Sequence, residues 1–197
     1  MKFLSKISTS RILLENITYK ENASANNSNL RTLLIDEQRN FCAYTEKYLE
    51  SLDSVEVEHF NAALKYNDNY YNYYAVIRNA NLYKPDEKYV GASFFNSLFF
   101  QNREVLTARI GFKNNIYYEI SENDQEAADL INFLGLNHPA LSLQRNRHIK
   151  RLKETFQKGG YSKEDIQNYF REYREQLSFS TAIDIELDIE TDHIINN

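Results

Sequence analysis

Four polar side chains within one stretch of the chain could together carry out hydrolytic chemistry: Glu58, His59, Asn72 and Asn81. Hydrolysis of a phosphodiester needs a base for the attacking water, a group that orients that base, and oxygen ligands for a divalent cation. His59 could be the base with Asn72 holding its ring, while Glu58 and Asn81 could bind the cation. Such ligands favour Mg²⁺ or Mn²⁺ over zinc. Spacing alone is weak evidence, because an isolated Glu-His pair on a strand is most often structural or simply exposed.

Periodicity predicts the elements that would position these residues. The segment SVEVEHF alternates apolar and acidic positions, which is typical of a strand. Glu58 and His59 then point to opposite faces, so a bend or bulge at the strand end is needed to bring them together. The polar loop KYNDNYYN follows, and YYAVIRNANLYK is expected to be a second strand running into a short helix with Asn81 at its start. The tyrosines around Asn72 are expected to pack in the core rather than to stack on bases.

The rest of the chain predicts helices and one further hairpin. TARIGFKNNIYYEIS suits a hairpin, because Asn114 and Asn115 tolerate positive φ at its turn. Helices are expected over 30–41, over 124–134, over 141–160, and from a capping box that starts at Ser162. Residues 22–29 favour a loop. The alternating segment AIDIELDIE favours an exposed strand or a partner-docking tail, with a disordered acidic tail as the default.

Composition indicates one α+β unit without a membrane span. Of the 197 residues 42% are hydrophobic, and no apolar run reaches the roughly 18 residues that a spanning helix needs. The opening residues lack the apolar region of a secretory signal, so a cytoplasmic location is expected. Cys42 is the single cysteine, which excludes a four-cysteine zinc site and favours a small buried hydrophobe. His138 and His148 are expected to be surface or helix-packing residues.

The net charge of −5 conceals a division between a basic and an acidic segment. Residues 141–174 contain nine Lys and Arg against four acids, whereas residues 175–197 contain six acids and no Lys or Arg. The basic cluster that includes Arg145, Arg147, Lys150 and Arg151 is either a solvated helix face or a surface that contacts backbone phosphates. The acidic segment could dock a partner or mask the basic face.

The joint pattern resembles the HNH endonuclease family, and within it the branch that includes the HNH component of Septu-type antiphage defence systems. The resemblance covers residues 30–151 and rests on CAYTE (42–46), EHF (58–60), Asn72, Asn81 with Lys84, LGLN (134–137) and Arg145. It implies an HNH-type ββα-metal core embedded in a mostly helical domain. The expected divisions are an N-terminal segment over 1–28, the nuclease domain over 29–152, and a C-terminal helix with an acidic tail over 153–197.

The resemblance also implies a role for each matching residue. His59 would be the general base, oriented by Asn72, and Glu58 with Asn81 would bind Mg²⁺ or Mn²⁺. Lys84 is expected to contact a phosphate, as are the cluster residues Arg145, Arg147, Lys150 and Arg151. The expected partners are nucleic acid, with DNA favoured over RNA, and an ATPase protein with which the nuclease would act in antiphage defence.

This sequence departs from the family pattern at the zinc knuckle. The family's four cysteines correspond here to Cys42, Thr45, Ile77 and Ala80, so one thiol remains and no structural zinc is expected. A packed apolar plug in its place would leave the four proposed catalytic positions intact. Two alternatives stay open: a catalytically inactive HNH-fold subunit that binds nucleic acid or assembles a complex, and a nuclease that acts on RNA.

Overall fold

In the computed structural model, which describes residues 1–65 and 67–196, many helices surround two small antiparallel sheets. The helices are α1 (Arg11–Leu14), α2 (Ser24–Glu37), α3 (Arg78–Asn81), α4 (Phe94–Ser97), α5 (Arg103–Arg109), α6 (Gln125–Phe133), α7 (Pro139–Gly159), α8 (Lys163–Glu172), α9 (Ser180–Leu187) and α10 (Asp192–Ile195). The strands are β1 (Val55–His59), β2 (Tyr73–Ile77), β3 (Ile110–Lys113) and β4 (Ile116–Glu119). With 52% helix and 10% strand, the chain belongs to the predicted α+β class.

The first hairpin pairs β1 with β2 in the register that joins His59 to Tyr73 and Val55 to Ile77. Helix α3 follows β2 without an intervening loop, as predicted. Tyr73, Tyr74 and the residues up to Val76 are all completely buried, so β2 is covered on both faces. The prediction that the tyrosines pack in the core is confirmed for Tyr70, Tyr73 and Tyr74, whereas Tyr71 is partly exposed.

The second hairpin and the three predicted capping features are also confirmed. Asn114 and Asn115 adopt φ values of 51° and 65° at the turn between β3 and β4. Helix α7 ends before Gly160, which adopts the left-handed φ of 65° that glycine accommodates at helix ends. At the start of α8, Ser162 and Asp165 form a reciprocal capping box.

The core is strongly aromatic and centres on Phe60, the residue that follows β1. Its ring lies within 6.3 Å, centroid to centroid, of six others: Tyr44, Tyr74, Phe94, Phe95, Phe100 and Phe133. Cys42 is completely buried beside this cluster, as predicted. A second, smaller cluster packs α1 and α2 against the β1–β2 hairpin through Ile12, Leu30, Leu34, Tyr70, Tyr73 and Ala75.

Two segments differ from the prediction. Helix α2 begins at Ser24, inside the segment 22–29 that was expected to be a loop. The segment AIDIELDIE is neither a strand nor a disordered tail, because its first six residues belong to α9. A helix buries Ala182 and Ile183 together and leaves Ile185 half-exposed, which a strict strand alternation would not do. The expected boundary between residues 152 and 153 lies within α7, and Ile183, Ile194 and Ile195 share one core with the N-terminal residues.

Candidate active site

The candidate site is built around His59, the last residue of β1, whose side chain is largely buried. Its Nδ1 lies 2.5 Å from Oδ2 of Asp68, a hydrogen bond that also places the two groups as an ion pair when the ring is protonated. The side chain of Asp68 is only 3% exposed, so this carboxylate is held in place by its protein contacts rather than by bulk water. Sequence reasoning missed Asp68, because it lies in an irregular loop with no periodic pattern.

Two further donors converge on Asp68. Asn72 Nδ2 donates to Oδ2 at 2.9 Å, and the hydroxyl of Tyr73 donates to Oδ1 at 2.8 Å. Burial raises the pKa of the Tyr73 hydroxyl and Asp68 adds to the effect, while the backbone N–H of Tyr19 opposes it by donating to the same hydroxyl. The phenol therefore stays protonated and serves as a donor to Asp68 at neutral pH.

Asn72 takes a different position from the one predicted. Its side-chain amide accepts from the backbone N–H of Asn61 at 2.8 Å and donates to the backbone carbonyl of the same residue at 3.1 Å. These bonds close the loop between β1 and β2 and hold the amide against Asp68. Its orienting effect on His59 therefore passes through Asp68, since the bonds of the amide go to Asn61 and Asp68.

The other ring nitrogen of His59 is covered. Nε2 is buried and has no hydrogen-bond partner among the described residues. The ring of Tyr19 lies edge-on to the imidazole with 4.7 Å between centroids, and that of Tyr73 lies edge-on at 5.6 Å. Tyr19 belongs to the turn between α1 and α2, so the N-terminal segment shields His59.

Glu58 lies on the opposite face of β1 and makes a buried ion pair with Lys84. Lys84 also donates to the backbone carbonyls of His59 at 3.1 Å and Phe60 at 3.3 Å. Both side chains are less than 10% exposed. Lys84 therefore occupies the side of Glu58 that was expected to face a cation, and it is not available at the surface for the predicted phosphate contact.

Asn81 lies near Glu56 rather than near Glu58. Its Nδ2 donates to Oε2 of Glu56 at 3.4 Å, and Arg78 lies 3.6 Å from the same carboxylate. Asn81 is the last residue of α3 and not its first, as had been expected. Glu56 and Glu58 share one face of β1, so the structure brings Asn81 to the correct face, one strand repeat away from the expected partner.

These contacts test whether the predicted residues fit Mg²⁺ or Mn²⁺. Among the described residues, no group of three or more His, Cys, Asp or Glu side chains could hold a metal ion. Glu58 is the single carboxylate of the predicted set, and Lys84 already neutralises it. His59 faces Asp68 on the other side of the strand. As arranged, the predicted donors do not fit a hard divalent cation, which requires several oxygen ligands.

The predicted phosphate-binding residues fall into two groups. Arg145 is 1% exposed and donates to Asn115, Leu136 and Ser142, so it joins α7 to the β3–β4 hairpin and is corrected to a structural residue. Burial lowers the pKa of its guanidinium group. Arg147, Lys150 and Arg151 are exposed at helical spacing on one face of α7. Close to this face, Lys153 is paired with Glu186 of α9.

The residues that correspond to zinc-binding cysteines do not form a fully closed plug. Cys42 accepts a hydrogen bond from the backbone N–H of Ile77 at 3.5 Å. A cavity of about 150 Å³ lies next to it, with Thr45, Ile77 and Ala80 in its wall. The two other histidines are packing residues as predicted: His138 stacks on Tyr83, and His148 lies against Phe179.

No protein-family model, curated protein or solved structure matches the chain. Within the described residues, none of the helices is long and apolar enough to cross a membrane. Fold class and site geometry are therefore the basis for the functional argument.

Proposed function

We propose that this chain is an HNH-type nuclease that hydrolyses phosphodiester bonds of nucleic acid, with His59 as the base that activates water. The observation that carries the proposal is the buried pair of His59 Nδ1 and Asp68 Oδ2, 2.5 Å apart. A histidine held by a carboxylate through one nitrogen has the other nitrogen available as a base. The order of elements also supports it, since His59 ends β1, Asn72 precedes β2, and Asn81 lies in the helix that follows.

The proposed chemistry uses groups of this chain. Asp68 accepts the proton-bearing Nδ1 of His59, so Nε2 carries the lone pair that removes a proton from water. The resulting hydroxide attacks phosphorus and displaces the leaving oxygen. The exposed face of Arg147, Lys150 and Arg151 holds the nucleic-acid backbone through phosphate contacts that carry no sequence information.

The role of a divalent cation is decided by experiment within the same proposal. The resemblance implies Mg²⁺ or Mn²⁺, but Glu58 is held by Lys84 and the donors do not fit as arranged. We therefore derive no catalytic step through a metal ion. A cation that bound at Glu58 would have to displace Lys84, so metal titration of cleavage tests this point directly.

The resemblance further suggests that the nuclease is the effector of an antiphage defence system and acts with an ATPase partner. DNA is the favoured substrate and RNA is the alternative. The experiment incubates the purified chain, alone and with the products of its neighbouring genes, with plasmid DNA, single-stranded DNA and RNA. Each reaction is run with Mg²⁺, with Mn²⁺ and with EDTA.

The decisive comparison is His59→Ala against His193→Ala, since His193 is an exposed histidine of α10 far along the chain from the site. We expect His59→Ala to lower cleavage by about 10²-fold or more, because general-base catalysis contributes 10²–10⁴-fold, and His193→Ala to leave it unchanged. Equal cleavage by both variants, or no cleavage of any substrate, would overturn the proposal.

A second candidate is a catalytically inactive subunit that retains the fold and binds nucleic acid. The burial of Nε2 beneath Tyr19 favours it, because the proposed base has no access to water in this arrangement. This candidate requires binding without cleavage. Replacing Arg147, Lys150 and Arg151 by Gln would then weaken binding and reduce its salt dependence by up to about three phosphate contacts.

A further inference from the structure

Asp68 is the carboxylate that faces His59, and its surroundings leave it few ways to interact. Three donors point at its two oxygens: His59 Nδ1 and Asn72 Nδ2 at Oδ2, and the Tyr73 hydroxyl at Oδ1. The carboxylate is 3% exposed. It forms part of the wall of a cleft of about 360 Å³ that also includes Tyr19 and Lys65.

We propose that Asp68 is the positioning residue of the site: it fixes the His59 ring in the tautomer that carries the proton on Nδ1 and leaves Nε2 as the base. This inference rests on the proposed nuclease function. It assigns to Asp68 the orienting role that the sequence pattern gave to Asn72, and it makes Asn72 and Tyr73 the groups that hold Asp68 itself.

The hydrogen-bond directions determine the tautomer. The amide of Asn72 and the phenol of Tyr73 both donate, so the carboxylate must accept from each. An ionised carboxylate can only accept, and its bond to His59 therefore requires a proton on Nδ1. An unprotonated Nδ1 would place two acceptors 2.5 Å apart, which is repulsive.

Asp68→Asn tests this logic with almost no change in shape. An asparagine at this position brings an N–H₂ group into a site that already contains donors. One of its donors then meets either Tyr73, Asn72 or Nδ1 of His59. The amide relieves the clash by donating to Nδ1, which moves the ring proton to Nε2 and removes the base.

The tautomer can be measured without any assay of activity. Long-range ¹H–¹⁵N NMR spectra of the full chain report which ring nitrogen of His59 carries the proton, with His59→Gln used to assign its signals. We expect the Nδ1–H form in the wild type and the Nε2–H form in Asp68→Asn. Asp36→Asn, an exposed carboxylate of α2 with the same charge change, should keep the wild-type spectrum.

Kinetics provide the second readout. We expect Asp68→Asn to lower kcat by on the order of 10²-fold with KM within about threefold of the wild type, because the substrate-binding surface is untouched. A wild-type ring in the Nε2–H form, or an Asp68→Asn variant with unchanged tautomer and kcat, overturns the inference. If the tautomer changes as expected but the wild type cleaves nothing, the nuclease proposal fails and the catalytic role of Asp68 fails with it. A circular dichroism spectrum controls for folding, and the wild-type tautomer alone can refute the inference should the variant unfold.

Discussion

Glu46→Gln is expected to destabilise the fold strongly, although Glu46 lies outside the candidate site. Its carboxylate is 1% exposed and accepts from Lys2 N at 2.6 Å, Thr181 N at 2.9 Å and Thr181 Oγ1 at 2.8 Å. The Met1 amino group lies 3.3 Å away. Helix α9 has no cap from its own N-cap residue, so Glu46 supplies its capping acceptor from 135 residues earlier in the chain.

The expected size follows from these contacts. Glutamine keeps one acceptor oxygen, places an N–H₂ group against a buried donor, and removes the charge that faces the Met1 amino group. A hydrogen bond to a charged group contributes about 1.5–3 kcal/mol, and a mismatched buried donor costs about 1–3 kcal/mol. We therefore expect the free energy of unfolding to fall by about 3 kcal/mol. For a chain of this length, that corresponds to a Tm lower by about 9 °C.

The pH dependence of this difference gives the sign of the effect. Burial alone would raise the pKa of the Glu46 carboxyl, but the Met1 ammonium group, the Thr181 donors and Lys2 outweigh it and hold the pKa below its ordinary value of 4.5. A lowered pKa in the folded state means that the stabilisation is present above pH 4.5 and is lost as the pH falls through the folded-state value. The gap between wild type and Glu46→Gln should therefore be largest near pH 7 and narrow below pH 4.5.

Urea unfolding followed by circular dichroism measures this gap at several pH values. Glu190→Gln, an exposed carboxylate beyond α9 with the same charge change, is the matched control and should stay within about 0.5 kcal/mol of the wild type. A Glu46→Gln variant as stable as the control, or a gap that widens in acid, would refute the reasoning.

Three further outcomes are expected. Phe60→Ala should lower the free energy of unfolding by about 3–5 kcal/mol in urea titrations, because six aromatic rings surround it; a loss below 1 kcal/mol would contradict that packing. Arg145→Met should destabilise the fold in the same titrations, whereas Arg151→Gln should leave stability unchanged and weaken nucleic-acid binding in a salt-dependent manner; the reverse pattern would return Arg145 to the phosphate-binding set. Tyr19→Ala should increase the rate at which diethylpyrocarbonate modifies His59, measured by mass spectrometry, since its ring covers the imidazole; an unchanged rate would show that Tyr19 is not the cover.

Local patterns were sufficient to predict much of the fold. The alternation in SVEVEHF, the paired asparagines of the second hairpin and the capping box at Ser162 each specify a local geometry, and each is present. The alternation in AIDIELDIE was misleading, because it is compatible with a strand on its own. Contacts with residues far away in sequence decide that segment: Glu46 caps its first turn and Lys2 pairs with Asp184.

The candidate site shows a similar division. Sequence order brought His59 and Asn72 to one end of the first hairpin, which the structure also does. The partner of His59 could not be predicted, since Asp68 lies in a loop whose path depends on the Asn72–Asn61 contacts. The burial of Lys84 and Arg145 was equally hidden, because a charged residue in a sequence carries no sign that its partners will be inside the core.

The contacts of α9 and α10 also constrain the order in which the chain can fold during synthesis. Glu46 obtains its Thr181 donors, and Lys2 its partners Asp184 and Asp192, only after those residues have left the ribosome. Ile183 and Ile194 belong to the same core as Leu4 and Phe41. The N-terminal half therefore emerges with its core incomplete, and cooperative folding waits for residues near position 195. A protein of this design is exposed to chaperones and proteases for almost its whole translation time, and a truncated product lacks the groups that complete its core.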